Sequence, residues 1–420
     1  MKFLHAADVH LDSPLDGLER YEGAPVEQLR GATRQALKNL VEFAIQQQVD
    51  FVIIAGDVYD GDWRDYNTGL FFSAQMAELT RAGIPVFVIK GNHDAASQVS
   101  KSLTLPARVH VFSHNRPETV RLPEFEVALH GQSYAERAVT EDLSRNYPAP
   151  VSGWFNIGLL HTSATGREGH ENYAPCTIEG LRSKGYDYWA LGHVHQREVL
   201  CEDPWIVFPG NLQGRHIRET GPKGCTLVTV DRGAIRQVQH HNLDVLRWDE
   251  LAIDLTTAHD LDSVLSQTSK ALSAHLDTGD DLAWALRLRF TGASPAHASL
   301  ALRREQLVAE CRALAANLSA NTVWIEKVKL QTRPPAAQVD QLDDRADAVG
   351  DLLKFLRDAS SNEALLTDLA GDLADLTQKL PTDLNDGPEP LNLHDPATIA
   401  GLLPEVEALL TSRLLNQEPS

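Results

Sequence analysis

Cysteine is scarce in this chain of 420 residues, and the four present (Cys176, Cys201, Cys225, Cys311) are widely scattered with no CxxC spacing. That argues against both a disulfide framework and a zinc knuckle. No apolar run approaches the length needed to cross a membrane, and the opening MKFLHAADVH lacks the layout of a signal peptide. The expectation is a cytoplasmic protein with no membrane partner. Positive charge is also in short supply: 38 Lys plus Arg stand against 58 Asp plus Glu, a net of −20. Proteins that grip nucleic acid by charge alone usually carry basic faces. The deficit is uneven, however. Residues 334–420 hold 17 acidic and 5 basic side chains, a net of −12, which leaves −8 for the 333 residues before them. This is no strongly cationic clamp, and affinity for a polyanion would lean on a partner. At this length two or three domains are expected.

Five short polar motifs stand out, each directly after a strand-like apolar run: Asp8-Val9-His10, Gly56-Asp57, Gly91-Asn92-His93-Asp94, His161, and Gly192-His193-Val194-His195. The runs are Phe3-Leu4, Phe51 to Ile54, Val86 to Ile89, Ile157 to Leu160 and Tyr188 to Leu191. Buried strands of an α/β sheet read this way, and their carboxyl ends are where such folds place ligands. Asp, Asn and His in this number provide enough ligands for two neighbouring ions of the Mn, Fe or Zn type, whereas Mg prefers all-oxygen shells. Two metals roughly 3.5–4 Å apart are a standard device for cleaving phosphate esters. One carboxylate must be shared to hold the ions that close, and Asp57 is the natural bridge. His5, His110, His114 and His130 read as ordinary polar residues; His170 reads as a loop histidine, with approach to substrate the alternative, and Asp12 and Asp16 as turn formers or as groups that support the ligands from behind.

The order DxH, GD, GNHD, H, GHxH resembles the calcineurin-like metallophosphoesterase superfamily. Within it, GDVYDGDWRDYN, and GHVH followed by PGNLQGRHIRE, resemble the SbcD-type DNA exonuclease subunits, and HLDSPLDGL is most similar to the bacterial YhaO-type branch. The motifs cover about the first half of the chain. The resemblance implies that Asp8, His10, Asp57 and His195 hold one metal, and that Asp57, Asn92, His161 and His193 hold the other. His93 would face the scissile phosphate and protonate the leaving oxygen, with Asp94 orienting it by accepting its other ring N–H. Water acidified by the two cations would attack, with no covalent enzyme intermediate. Asp60 departs from archaeal and eukaryotic relatives, which often carry a histidine there.

Three regions follow. Residues 1–245 alternate strand and helix patterns and then become β-rich (109–112, 125–130, 205–208, 225–230, 235–240), which suggests a four-layer α/β/β/α sandwich with the metals at one edge. The apolar spacing predicts a helix over 26–48. Arg215, His216 and Arg218 follow a Pro-Gly-Asn turn and could contact a phosphodiester, surface salt bridging being the equal alternative. Residues 248–331 read as strand (251–255), helix (261–276), strand (284–290), helix (298–314) and strand (322–330), a small α+β unit that resembles the capping domain of the SbcD-type nucleases. Arg287, Arg289, Arg303, Arg304, Lys327 and Lys329 are its candidate phosphate contacts, a solvated sheet face being the plainer explanation. After Pro334-Pro335, residues 332–420 form a linker and an acidic segment of short helices with a polar loop at 381–390. By resemblance these helices would dock on an SbcC- or YhaN-like coiled-coil ATPase. Packing back on the chain's own body, or a small independent helical domain, is the alternative.

The expected function is a two-metal, manganese-dependent DNA phosphodiesterase. By resemblance it would be a 3′–5′ exonuclease on duplex ends and an endonuclease on single strands, acting in DNA repair with the ATPase and forming a homodimer. The alternatives are a phosphoesterase acting on nucleotides or cyclic nucleotides, and a mainly structural metal-binding subunit. The presence of both His93 and Asp94 argues against the last.

Overall fold

The computed structural model describes residues 1–13, 31–60, 66–96, 104–164, 173–277, 282–319, 322–338, 345–380 and 391–415. Asp16, His170, the first residues of the helix expected over 26–48, and the 381–390 loop lie outside the described residues. The chain divides into two units, one of residues 1–215 and 219–247, the other of residues 216–218 and 248–420.

Two six-stranded sheets make up the first unit. One contains β1 (Lys2–Ala6), β2 (Phe51–Ala55), β3 (Val86–Ile89) and β4 (Val109–Val111), joined by β11 (Gly224–Asp231) and β12 (Ala234–Asn242) in the order β12-β11-β1-β2-β3-β4. The other runs β5-β6-β7-β8-β10-β9, from β5 (Glu118–Leu122), β6 (Val127–Gly131), β7 (Phe155–His161), β8 (Tyr188–Gly192), β9 (Glu198–Glu202) and β10 (Trp205–Phe208). The motif-bearing strands β1, β2 and β3 are mutually parallel, as are β7 and β8.

Side-chain alternation explains the layering. Phe3, Phe51, Ile53 and Phe87 point to one face and pack with Leu129, Ile157, Leu159 and Tyr188 of the other sheet. Their neighbours Leu4, Val52, Ile54 and Val88 point the opposite way, onto Ala36, Leu37 and Leu40 of α1 (Ala32–Gln47) and Phe72 and Met76 of α2 (Tyr66–Arg81). Strands covered on both faces need apolar residues at every position, which is why these read as continuous runs. Beyond the second sheet, Leu160, Trp189 and Leu191 pack on Leu181 of the short helix α4 (Ile178–Ser183); α3 (Asn92–Ala96) lies between α2 and α4 in sequence. The result is the α/β/β/α order of layers expected from the sequence.

The second unit carries the sheet β13-β14-β15, built from β13 (Leu246–Asp254), β14 (Ala283–Thr291) and β15 (Val323–Leu330). Helix α5 (Leu261–Leu276) is as the periodicity predicts, with Asp260 capping its N-terminus. The single helix expected over 298–314 is two, α6 (His297–Leu302) and α7 (Arg304–Ser319). Arg303, at φ −110° and ψ 34°, leaves helical geometry between them. In the acidic segment, α8 (Ala348–Ala359), α9 (Glu363–Asp372) and α11 (Pro396–Leu415) bury Ala359, Leu366, Ala370, Ile399 and Leu403 against one another, while the single-turn α10 (Ala374–Thr377) follows α9. The Arg357–Glu407 ion pair at 2.7 Å ties α8 to α11. These helices therefore share a small core, as the alternative of a small independent helical domain has it.

Candidate metal centre

Every motif lies at the carboxyl end of its strand, in the first unit. Asp8 follows β1, Asp57 follows β2, Asn92 follows β3, His161 ends β7 and His193 follows β8. The first two loops are sharply turned: Asp8, His10 and Asp57 all have φ between 43° and 52°, a region that L-residues occupy at a cost. Backbone bonds hold them there, from Asp8 N to Gly56 O and from His10 N to Asp57 O, each 3.0 Å. Gly91 is required by proximity, because a Cβ there would lie 2.3 Å from Asp57 Oδ1.

The buried side chains converge. Ligand atoms of Asp8, His10 and His195 lie within 4.8 Å of one another, and so do those of Asp57, His161 and His193. Asp57 Oδ2 stands between the groups, 3.3 Å from His161 Nε2 and 3.9 Å from His10 Nε2. Asn92 Oδ1 joins the second group at 3.0 Å from His161 Nε2. Both oxygens of Asp8 also accept from His193 N at 3.0 Å.

The pattern of lone pairs shows that a cation fits. His161 Nδ1 lies 2.9 Å from the Ala55 carbonyl and must carry the hydrogen, so in the neutral ring Nε2 turns a bare lone pair onto two oxygens, Asn92 Oδ1 and Asp57 Oδ2. His195 repeats the arrangement: Nδ1 lies 2.6 Å from Glu219 Oε1, and Nε2 faces His10 Nε2 at 3.2 Å. Lone pairs aimed at each other in a buried site need a positive charge between them, and a ring whose far nitrogen donates to carbonyl or carboxylate is the usual oriented metal ligand. Without a metal the polypeptide meets the need with protons. Burial alone would depress His161, but the Asp57 carboxylate overrides it and lifts the imidazole to about 9. Burial, aided by repulsion from Asp57, pushes Asp8 up to about 7. Burial lowers His195 to about 3, so its ring stays neutral.

His93 sits at the rim with its side chain 29% exposed, and its backbone N–H donates to Asp57 Oδ1 at 3.0 Å. The carboxylate at its ring is not the expected one. Asp60 Oδ1 lies 3.1 Å from His93 Nδ1, whereas the oxygens of Asp94 accept the backbone N–H groups of Tyr59 and Gly91 at 3.0 and 3.1 Å. Asp94 is buried, one residue along a helical turn, and serves as a staple between the second and third motif loops. Sequence adjacency concealed this, since Asp60 is brought in by a different strand end. Asp60 Oδ1 also lies 3.4 Å from His10 Nδ1, and Ser13 Oγ donates to its Oδ2 at 2.7 Å. Hydrogen bonds from His10 and His93 overcome the effect of burial and hold the Asp60 carboxyl well below the usual range.

Of the other residues singled out, Arg215 reaches the site, with Nη1 3.8 Å from Asp60 Oδ1 and Nη2 3.3 Å from Glu219 Oε1. His216 and Arg218 group with the second unit, His216 half-buried and Arg218 exposed. Arg287 does not face solvent as expected: on the central strand β14 it is buried and donates through Nε and Nη2 to Glu326, both bonds 2.9 Å, which removes it as a phosphate contact. Arg289 pairs with Glu250 at 2.7 Å and Arg304 with Glu405 at 2.7 Å; Arg303 and Lys327 are exposed and Lys329 half-buried. His5 and His130 are buried and hydrogen-bonded in the core. Glu219 escaped notice in the sequence because no local spacing ties it to His195.

A two-sheet sandwich with two groups of imidazole, carboxylate and amide side chains meeting at the carboxyl ends of its parallel strands defines a two-metal hydrolase of phosphate esters. The chain belongs to the calcineurin-like metallophosphoesterases: residues 1–197 match the family model for calcineurin-like phosphoesterase, and residues 248–333 match the one described as metallophosphoesterase YhaO, middle domain. It is 36% identical to the metallophosphoesterase YhaO of Bacillus subtilis (strain 168) over 299 residues, 70% of this chain and 72% of that protein. A more distant relative is the DNA double-strand break repair protein Mre11 of Methanopyrus kandleri, 26% identical over 60% of this chain and 59% of that protein. Members of this family work with two divalent metal ions. Among the described residues no helix is long and apolar enough to cross a membrane.

Proposed function

We propose that this chain is a manganese-activated DNA phosphodiesterase, a 3′–5′ exonuclease on duplex ends and an endonuclease on single strands, serving DNA repair. The observation that carries the reading is the rim position of His93 beside seven converging ligands, together with similarity to a protein named for double-strand break repair. Bound divalent ions would supply Lewis-acid charge neutralisation and a water of lowered pKa. Asp8, His10, Asp57 and His195 would hold one ion, and Asp57, Asn92, His161 and His193 the other. The Asp60 carboxylate keeps the Nδ1 hydrogen on His93, leaving Nε2 as the nitrogen that exchanges a proton with the leaving oxygen.

The test is cleavage of end-labelled duplex and single-stranded DNA with Mn, beside hydrolysis of bis(p-nitrophenyl) phosphate. Progressive loss of DNA from its ends, reduced about 10²- to 10⁴-fold in His93→Ala with both metals retained, is the expected result. A nucleotide or small-diester substrate is the second reading, favoured by the ion pairs that engage Arg287, Arg289 and Arg304 and by the net charge of −20. Turnover of the small diester with DNA left intact, even with the ATPase present, would select it.

The proposal includes two protein partners. Val406 and Leu409, one turn apart on α11, and Phe355 on α8 are 39%, 36% and 56% exposed, apolar side chains suited to an SbcC- or YhaN-like coiled coil. Tyr66 and Leu70, one turn apart on α2 and 61% and 58% exposed, suit a second copy of this chain.

A further inference from the structure

Arg215 stands between two carboxylates that serve different parts of the centre. Its Nη2 lies 3.3 Å from Glu219 Oε1, the oxygen that also takes His195 Nδ1 at 2.6 Å. Its Nη1 lies 3.8 Å from Asp60 Oδ1, the oxygen that meets His93 Nδ1 at 3.1 Å, and 3.3 Å from Ser13 Oγ, which itself donates to Asp60. Glu219 is 5% exposed and is held on its other oxygen by Arg215 N at 2.7 Å and Asn211 Nδ2 at 2.8 Å, so the loop after Pro209-Gly210 folds around this one carboxylate. Lys223 Nζ closes the same loop onto the His195 carbonyl at 3.0 Å.

We infer that Arg215 and Glu219 form a positioning clamp that fixes His195 for the metal and, through Asp60, fixes His93 for the leaving group. The clamp rests on the phosphodiesterase reading for its kinetic consequences but not for its effect on metal binding. A guanidinium fits the place because it is planar and permanently charged: it donates to Glu219 and to Ser13 while its charge pairs with Asp60 at 3.8 Å. Its side chain is 14% exposed, so it is walled in beside the centre rather than offered to substrate. Arg215 is accordingly a positioning residue, in line with the salt-bridging alternative of the sequence reading rather than with a phosphate contact.

The two roles separate in kinetics. In Arg215→Gln, kcat for aryl methyl phosphate diesters should fall about 10- to 100-fold with KM unchanged. The loss should grow as the leaving group becomes poorer, because a misplaced His93 matters most where protonation matters most. Added guanidinium should restore part of the rate, and Mn stoichiometry should remain at the wild-type value. A raised KM with intact kcat would overturn the clamp in favour of a phosphate contact. A loss that is equal for all leaving groups and insensitive to guanidinium would also overturn it. The metal arm needs no turnover. In Glu219→Ala, Mn affinity by titration calorimetry should weaken about 10- to 100-fold, and Glu219→Gln, which keeps an oxygen acceptor for His195, should recover most of it. Equal Mn affinity in wild type and in both variants would sink the clamp. If wild type cleaves no diester while this metal effect holds, the phosphodiesterase reading fails and the clamp on His195 stands.

Discussion

His93 Nδ1 lies 3.1 Å from Asp60 Oδ1, although Asp60 stands 33 positions earlier in the chain and another carboxylate, Asp94, is its immediate neighbour. Asp94 instead receives the N–H groups of Tyr59 and Gly91. The two carboxylates therefore predict different phenotypes. Asp60→Asn should lower kcat on phosphodiesters by about one to two orders of magnitude, with some loss of stability because the fold favours its charged form. Asp94→Ala leaves two buried N–H groups without their acceptor and should cost about 1–3 kcal/mol or more of stability. Thermal melts beside steady-state rates separate the two, and a stable, slow Asp94→Ala would reverse the assignment.

Asp57 touches both ligand groups, so its removal should be felt at both ions. Metal analysis of Asp57→Asn is expected to show both sites depleted, whereas His161→Ala should deplete one more than the other. An Asp57→Asn protein with near-normal metal content and rate would mean that the oxygen between His161 and His10 is not the bridge.

The metal-free protein should lose stability as pH rises from about 6.5 to 9. His161 has its folded value raised from 6.5 to about 9, and Asp8 has its raised from 3.8 to about 7. A group with a raised folded value stabilises most below its unfolded value and loses that contribution as pH climbs through the folded one. Both effects act in one direction up to about pH 9, and only below about 6.5 are they opposed, by the lowered His195 and His10. Metal needs the deprotonated forms, so the rise in melting temperature on adding Mn should increase from pH 6 to pH 9. A rise that is flat or that shrinks over this range would contradict the lone-pair argument.

If Tyr66 and Leu70 form a face for a second copy, a Tyr66→Asp, Leu70→Asp double variant should sediment as a monomer at concentrations where wild type is a dimer. Both side chains are already exposed, so the monomer's melting temperature should be nearly unchanged. A wild type that sediments as a monomer throughout would remove the second copy from the proposal.

Much of the centre was legible before any coordinates because its chemistry constrains the chain locally. Continuous apolar runs marked strands covered on both faces, and Asp8, Asp57, Asn92, His161 and His193 each follow or end one of them. A metal site at parallel strand ends needs little more to announce itself. The polar groups around those ligands were not legible. Glu219 reaches His195 across 24 positions, Asp60 reaches His93 across 33, and Ser13 reaches Asp60 across 47. No period or spacing encodes such pairs, because a hydrogen bond between loops depends on where strands from distant parts of the chain end in space. The same limit applies to Arg287: alternation placed it off the apolar face, but only the neighbouring strand β15 supplies Glu326 to bury it against. The candidate ligands are therefore marked by short stretches read along the chain, while the orientation, charge and protonation of those side chains are set by partners that folding alone brings within 4 Å.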